Sequence, residues 1–381
     1  MKLAIIGGGA SGLMLASILR KHNADIDIVI LEKLEHVGKK ILMSGNGKCN
    51  LSNTLINPLC YNNEFGYTIA SSFDANKYFN ELGLLTYSDN EGRIYPISNV
   101  ANSVLDVLRN SLDNVEILTN YNVTRVNKKD NKYVIYNDAF KTLEADYVVF
   151  ATGGKTYYKD NNSYLMCSML SHRVSTLRPT LTSLKVKENL ASIENLRAKV
   201  KASLIANNKV IYEDKGEVLF KKDALSGIVI FQLSSYVARN PINNFVIELD
   251  LMPSMNESEL EDYLTKYPSM TGLFAKMINQ YINKVSISKS AKDLAYTIKH
   301  LRFNVLESVE FKNAQVTSGG ISINEVNEHL ESKYNPNLYI LGELLDVDGI
   351  CGGYNLHFAF ASAHKAALNI ISKVGIKEWK I

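Results

Sequence analysis

Ile5–Ile6–Gly7–Gly8–Gly9–Ala10–Ser11–Gly12 decides the fold. Upstream, Lys2–Ile6 reads as a short buried strand. Downstream, Leu13–Lys21 reads as a helix, with Leu15, Ile18 and Leu19 at helical spacing. A second apolar run, Ile26–Leu31, ends on Glu32. Gly7, Gly9 and Gly12 fit G-x-G-x-x-G. Strand, glycines, helix, strand and acid together form the dinucleotide-binding fingerprint of a βαβ unit. Gly7 permits the tight turn out of the strand. Gly9 lets a pyrophosphate reach the backbone, and Gly12 lets the helix pack close to the strand. The helix N-terminus offers free N–H groups to the phosphates. Glu32 suits ribose hydroxyls and would repel a 2′-phosphate, which disfavours NADP here. The fingerprint alone does not separate FAD from NAD.

The 381 residues suggest two or three domains, or one with a large insert. At 46% hydrophobic and 21% charged, the chain has the composition of a soluble globular protein. A net charge of +3 gives no ground for a nucleic-acid or membrane partner. Cys49, Cys60, Cys167 and Cys351 show no C-x-x-C spacing and read as thiols in a reducing compartment. No metal-ligand cluster is expected, and no stretch of about twenty apolar residues exists to span a bilayer. Cytoplasmic is the default location.

The loop Met43–Asn53 is dense in Gly, Asn and Ser and could wrap a cofactor, with Lys39, Lys40 and Lys48 offsetting phosphate charge. Cys49 reads as a small packed residue. Asp74 is a candidate cap for a helix from Ala75. Four β-like runs, Val115–Leu118, Tyr121–Val126, Tyr133–Tyr136 and Thr142–Glu144, form a sheet that leads into Tyr147–Phe150 and the turn Ala151–Thr152–Gly153–Gly154. Three segments follow: 1–185 and 313–381 as nucleotide-binding parts, and 186–312 as an insert. Asn256 with Glu259 in the insert resembles a capping box. Late in the chain, a strand at Asn337–Leu341 leads through Gly342–Gly349 to Gly352–Gly353 and a helix from His357 to Ile371. A second glycine turn before a long helix suits the N1–C2=O region of a flavin ring.

The βαβ unit, the loop Gly38–Asn50 and the pair Gly342–Gly349 and Gly352–Leu356 together resemble the YhiN/BaiN-type flavoproteins, predicted NAD(P)/FAD-dependent oxidoreductases. Thr317–Ser322 and Leu225–Ser226–Gly227 match the same family. The resemblance implies an α/β fold: a Rossmann-like FAD-binding domain built from both chain ends, with an inserted β-barrel plus helical substrate domain. Carried over by position, Gly7, Gly9, Ala10, Ser11 and Gly12 hold the pyrophosphate. Glu32 and Lys33 meet the adenosine ribose. Lys40, Ser44, Gly45, Cys49 and Asn50 lie along the cofactor, and Val123 pairs with the adenine. Ala151, Thr152 and Gly153 lie over the ribose-phosphate. Gly342, Glu343 and Asp348 face the ribityl chain, and Gly353, Tyr354, Asn355 and Leu356 face the ring. Two positions depart from the family. Lys48 stands where its loop has Arg, keeping the charge and losing the bidentate fork. Lys221–Lys222–Asp223–Ala224 stands where the insert has Thr-His, so a substrate role for that histidine does not transfer.

Such an enzyme passes a hydride equivalent between flavin N5 and a small-molecule substrate, with NAD(P)H as candidate reductant. Tyr354 and His357 are the candidate proton-transfer residues, ahead of Tyr157 or Tyr158. Two rival readings stay open: an oxidase of amines or aminoketones that makes peroxide, and a flavin-binding or sensing module without turnover. The oligomeric state is left open.

Overall fold

Five parallel strands run in the order Leu338–Ile340, Tyr147–Phe150, Lys2–Ile6, Asp27–Leu31, Val115–Leu118. The Lys2–Ile6 strand is central, with Ile5 opposite Val149 on one side and Ile30 on the other. Leu3, Ala4 and Ile5 are fully buried. This is why the strand is an unbroken apolar run rather than an alternating one. The coordinates are a computed structural model describing residues 1–156, 161–240 and 244–376.

The chain divides into two units. Met1–Leu177 with Val316–Ile381 forms the first, and Arg178–Gln315 the second. The boundaries fall at 177/178 and 315/316, where the sequence reading put 185/186 and 312/313. The strand Leu184–Val186 pairs with Ala224–Ser226 and Leu301–Ser308 inside the second unit.

In the first unit, the helix Ala10–Lys21 buries every residue from Ser11 to Leu19. It packs against the 21-residue helix Tyr354–Val374. That late helix begins at Tyr354, three residues before the sequence expectation, because Gly353 adopts φ +96° and turns the chain into it. Asp74 caps the helix Ala75–Glu81 by accepting from the Lys77 N–H at 2.9 Å. One expectation is corrected. Val115–Leu118 does not join the antiparallel ribbon Val123–Lys129, Lys132–Asn137, Thr142–Ala145. It pairs in parallel with Asp27–Leu31 as the sheet edge.

The second unit is a closed barrel in the order Leu184–Val186, Ala224–Ser226, Lys209–Lys221, Arg197–Ala206, Phe245–Asp250, Leu301–Ser308. Leu204, Phe220, Ile247 and Phe303 fill it, each fully buried. Four helices, Ile228–Arg239, Glu257–Lys266, Lys276–Val285 and Ala291–Lys299, accompany it. Glu257–Lys266 opens on a full capping box. Asn256 Oδ1 accepts from the Glu259 N–H and Glu259 Oε2 accepts from the Asn256 N–H, both at 2.9 Å. Among the described residues, no helix is long and apolar enough to cross a membrane, and no group of side chains could hold a metal ion.

Candidate functional site

The three fingerprint glycines differ in what surrounds them. Gly7 has φ +108°, and a Cβ there would lie 2.6 Å from the Ala151 carbonyl oxygen. A Cβ on Gly12 would lie 2.1 Å from the Gly7 oxygen, so this glycine sets the close approach of helix to strand. Gly9 is different. It has φ −87°, an ordinary conformation, and the nearest atom to its Cβ position is the Ala151 oxygen at 3.9 Å. The space in front of Gly9 is therefore open on the protein side. It is bounded by Ala151, at the end of the neighbouring strand, and by the uncapped start of the helix Ala10–Lys21. A cradle with room in front of its glycine and unspent N–H donors fits a phosphate group.

Glu32 ends the second strand and faces this turn. Its Oε2 accepts from the Gly8 N–H at 2.8 Å and its Oε1 from the Leu34 N–H at 2.9 Å. Burial raises its pKa, and the backbone donors work against that rise. The Lys33 N–H is a third backbone donor to this carboxylate, which still has acceptor capacity for a ligand hydroxyl. Lys33 beside it is exposed, and Ala10 and Ser11 open the helix. Val123 is buried at the start of its ribbon, opposite Asn137.

The C-terminal segment completes the site. Gly342 has φ +62°, and a Cβ there would lie 2.4 Å from Ser11 Oγ. Next to it, Glu343 Oε2 accepts from Lys40 Nζ at 3.1 Å, and its Oε1 accepts from the Thr317 N–H at 2.8 Å. Lys40 Nζ also donates to Thr156 Oγ1 at 2.9 Å. Lys40 is thus balanced by a carboxylate of its own chain. Gly153 has φ +70° and lies beside this pair, and a Cβ on Gly154 would strike Glu343 Oε1 at 2.3 Å. Thr152 Oγ1 is buried with no hydrogen-bond partner.

The second glycine turn is held by asparagines. Asn53 Nδ2 donates to the Gly352 oxygen at 2.9 Å. Asn355 accepts from the Gly349 N–H at 2.8 Å and donates to the Gly349 oxygen at 2.9 Å, which closes the loop on itself. Asn63 Nδ2 donates to the Asp346 oxygen at 2.9 Å, and Asn62 Oδ1 accepts from the N–H of the buried Asp348 at 3.1 Å. Sequence reasoning passed over Asn62 and Asn63 and took Asn53 only as the end of the Met43–Asn53 loop. Their signal was the density of asparagine between 50 and 63, a side chain that both accepts from and donates to the backbone. Of the expected loop residues, Ser44 Oγ donates to the Ile41 oxygen at 2.7 Å, Gly45 has φ +57°, and Asn50 Oδ1 is buried without a partner.

Cys49 is fully buried, and burial pushes its thiol up to about 11, as suits a packed residue rather than a nucleophile. His357 is 1% exposed. Its Nε2 lies 2.9 Å from the Ala70 carbonyl, which can only accept. The proton therefore sits on Nε2, and Nδ1 accepts from Ser52 Oγ at 2.7 Å. Burial lowers its pKa. Both nitrogens are engaged, so the ring as placed has none to offer a substrate proton. Tyr354 is also buried. It lies edge-on to Tyr61 with centroids 6.2 Å apart, and burial with the neighbouring Cys60 raises its pKa. Leu356 is half-buried on the first turn of the same helix. Tyr157 and Tyr158 lie outside the described residues.

The family model described as HI0933-like protein Rossmann domain matches residues 1–369, and the chain belongs to this family. The 3-dehydro-bile acid delta(4,6)-reductase of Clostridium scindens is 33% identical over 401 aligned positions, covering 96% of this chain and 98% of that protein. A ribosomal RNA dihydrouridine synthase of Haemophilus influenzae is 26% identical, covering 96% of this chain and 97% of that one. The solved 3-ketosteroid delta1-dehydrogenase of Sterolibacterium denitrificans, in complex with 1,4-androstadiene-3,17-dione, superposes with TM-score 0.51 at 11% identity. It covers 97% of this chain and 99% of that one, a likeness of fold.

Proposed function

We propose that the chain is an FAD-dependent oxidoreductase that reduces a carbon–carbon double bond conjugated to a carbonyl in a small organic substrate, with NAD(P)H as reductant. The observation that carries the cofactor is the open face of Gly9, set against the packed faces of Gly7 and Gly12. Gly9, Ala10 and Ser11 would take the pyrophosphate on free backbone N–H groups, and Glu32 the adenosine ribose through its remaining lone pairs. Gly342, Glu343 and Asp348 would line the ribityl chain, and Gly353–Leu356 the ring. When bound, the flavin supplies two-electron transfer at N5. Around it, Asn53, Asn62, Asn63 and Asn355 hold the second glycine turn in one shape before any ligand arrives. The start of the Tyr354–Val374 helix offers N–H donors where charge gathers on reduction.

The reductive direction is supported by the relatives' names. A delta(4,6)-reductase and a dihydrouridine synthase both add two hydrogens to a ring double bond. The test is anaerobic. Purified yellow protein is bleached with NADH or NADPH, then offered a 3-oxo-Δ4 steroid, unmodified ribosomal RNA, or air. Recovery of the flavin band with the steroid is the expected result. Recovery with RNA alone would move the substrate to a pyrimidine ring. Bleaching only by an amine, with peroxide in air, would establish the oxidase instead.

A further inference from the structure

The three-stranded sheet Ser52–Asn53, Arg93–Pro96, Thr86–Ser88 belongs to the first unit. Asn53 pairs with Arg93, and Tyr95 with Tyr87. Residues opposite one another, and residues two apart on a strand, share a face. Asn53, Arg93, Tyr95 and Tyr87 therefore stand on one side of the sheet. That side meets the second glycine turn, because Asn53 Nδ2 donates to the Gly352 oxygen at 2.9 Å. It also meets the loop Gly38–Asn50, since a Cβ on Gly45 would lie 3.5 Å from Tyr95 Cε1.

Three of these side chains are engaged within the protein. Asn53 accepts from the Leu55 N–H and donates to the Glu91 and Gly352 oxygens. Arg93 is clamped by Asp89 at 2.7 Å and Glu91 at 2.9 Å. Tyr87 Oη donates to Asn99 Oδ1 at 2.7 Å. The fourth differs. Among the described residues, no hydrogen bond reaches the Tyr95 hydroxyl. The Tyr95 ring stacks on Tyr87 with centroids 5.8 Å apart, and the residue is half-buried, so it stays open to a ligand. Burial raises its pKa and Arg93 works against the rise, and the hydroxyl keeps its proton at neutral pH. Tyr354 and His357, by contrast, are both buried.

We propose that the Tyr95 hydroxyl donates a hydrogen bond to the carbonyl oxygen of the substrate. The inference rests on the reading of the substrate as a double bond conjugated to a carbonyl. In that reduction a hydride from the reductant adds to the β-carbon, the double-bond electron pair moves toward the carbonyl oxygen, and a proton from water completes the α-carbon. A donor already aimed at the oxygen is worth most as the charge arrives there. Tyr95 supplies such a donor without giving up its own proton, on the face of the sheet that meets the second glycine turn.

The test reads the bond itself rather than turnover. Oxidised protein as purified, with no reductant present, is equilibrated with a 3-oxo-Δ4 steroid isotopically labelled at its carbonyl, and with the 3-deoxy steroid, which has no oxygen there. Equilibrium dialysis gives the affinities, and infrared difference spectra give the carbonyl stretch of the bound ketone. Tyr95→Phe keeps the stacked ring and removes only the hydroxyl. It is expected to bind the ketone about fivefold more weakly than wild type, to bind the deoxy steroid as well as wild type does, and to move the carbonyl stretch to higher frequency. Unchanged ketone affinity and an unchanged stretch in Tyr95→Phe, or an equal loss for both steroids, would overturn the proposal and leave the substrate reading standing. No binding of the ketone by wild type would overturn the substrate reading, and the proposal with it.

Discussion

Gly342 lies against Ser11 so closely that a methyl group at position 342 would come within 2.4 Å of the serine hydroxyl. The two residues come from opposite ends of the chain, and their contact closes the site. Gly342→Ala would force an alanine to φ +62° and into Ser11 Oγ. A loss of about 1–3 kcal/mol is expected, read by urea unfolding of the apoprotein. Pairing it with Ser11→Ala should restore part of that loss. No recovery in the double variant would mean that backbone strain alone is at work.

The fingerprint glycines should separate in their effects. Gly9→Ala has room and an ordinary φ, so the apoprotein should melt within a few degrees of wild type. Gly9→Val should fold and purify colourless, because its branches fill the space a phosphate needs. Gly12→Ala should lower the melting temperature of the apoprotein itself, since its Cβ would overlap the Gly7 oxygen. Flavin content and thermal unfolding, measured side by side, check all three.

Lys40 and Glu343 form a half-buried ion pair, with side chains 25% and 19% exposed. Its worth should lie between the ~0.5 kcal/mol of an exposed pair and the ~3–5 kcal/mol cost of breaking a buried one. A double-mutant cycle with Lys40→Met and Glu343→Gln in the apoprotein should give a coupling of about 1 kcal/mol. Zero coupling would return Lys40 to the role of phosphate counter-charge.

Two buried histidines give a pH dependence. His357 and His172 both have lowered pKa values, chiefly through burial. His172 Nε2 faces Ser332 Oγ at 2.8 Å. That oxygen already accepts from the Tyr334 and Asn335 N–H groups, so its proton goes to the imidazole. A depressed folded pKa means the unfolded chain binds more protons. The stability they contribute is present above the unfolded value near 6.5 and is lost as pH falls toward and through the folded values. Urea midpoints should fall from pH 7 to pH 5. His172→Gln should flatten that slope, and an unchanged slope would remove His172 from the account.

Cys49 and Cys167 should resist alkylation in the native protein at pH 8. Both are buried, and burial pushes their thiols upward. Mass spectrometry after iodoacetamide, before and after unfolding in urea, should find them modified only in the unfolded chain.

The elements that were legible in the sequence are those whose reasons are local. The fingerprint turn, the Asp74 cap and the Asn256–Glu259 box each sit within a few residues of what they act on. Val115–Leu118 was misassigned because a four-residue apolar run does not announce its partner. The choice between a neighbouring ribbon and the far edge of a parallel sheet belongs to tertiary packing. The same holds in the site. Lys40 read as a phosphate ligand because Glu343 is remote in sequence. His357 read as a candidate acid because nothing near it names Ser52 and Ala70 as its partners. Asn53, Asn62 and Asn63 grip two carbonyls and an amide between 346 and 352, a relationship that no spacing rule records.

The building of one sheet and one helix pair from both ends of the chain has a consequence for synthesis. On the ribosome, the Ala10–Lys21 helix emerges early with its apolar face bare. The helix Tyr354–Val374 that packs against it follows only after the whole barrel unit has been made. Until then the nascent chain holds an exposed apolar surface of the kind that chaperones bind. On the proposed function, the cofactor would load late, once the last helix has arrived, and a ribosome stalled within the barrel would display a colourless half-site.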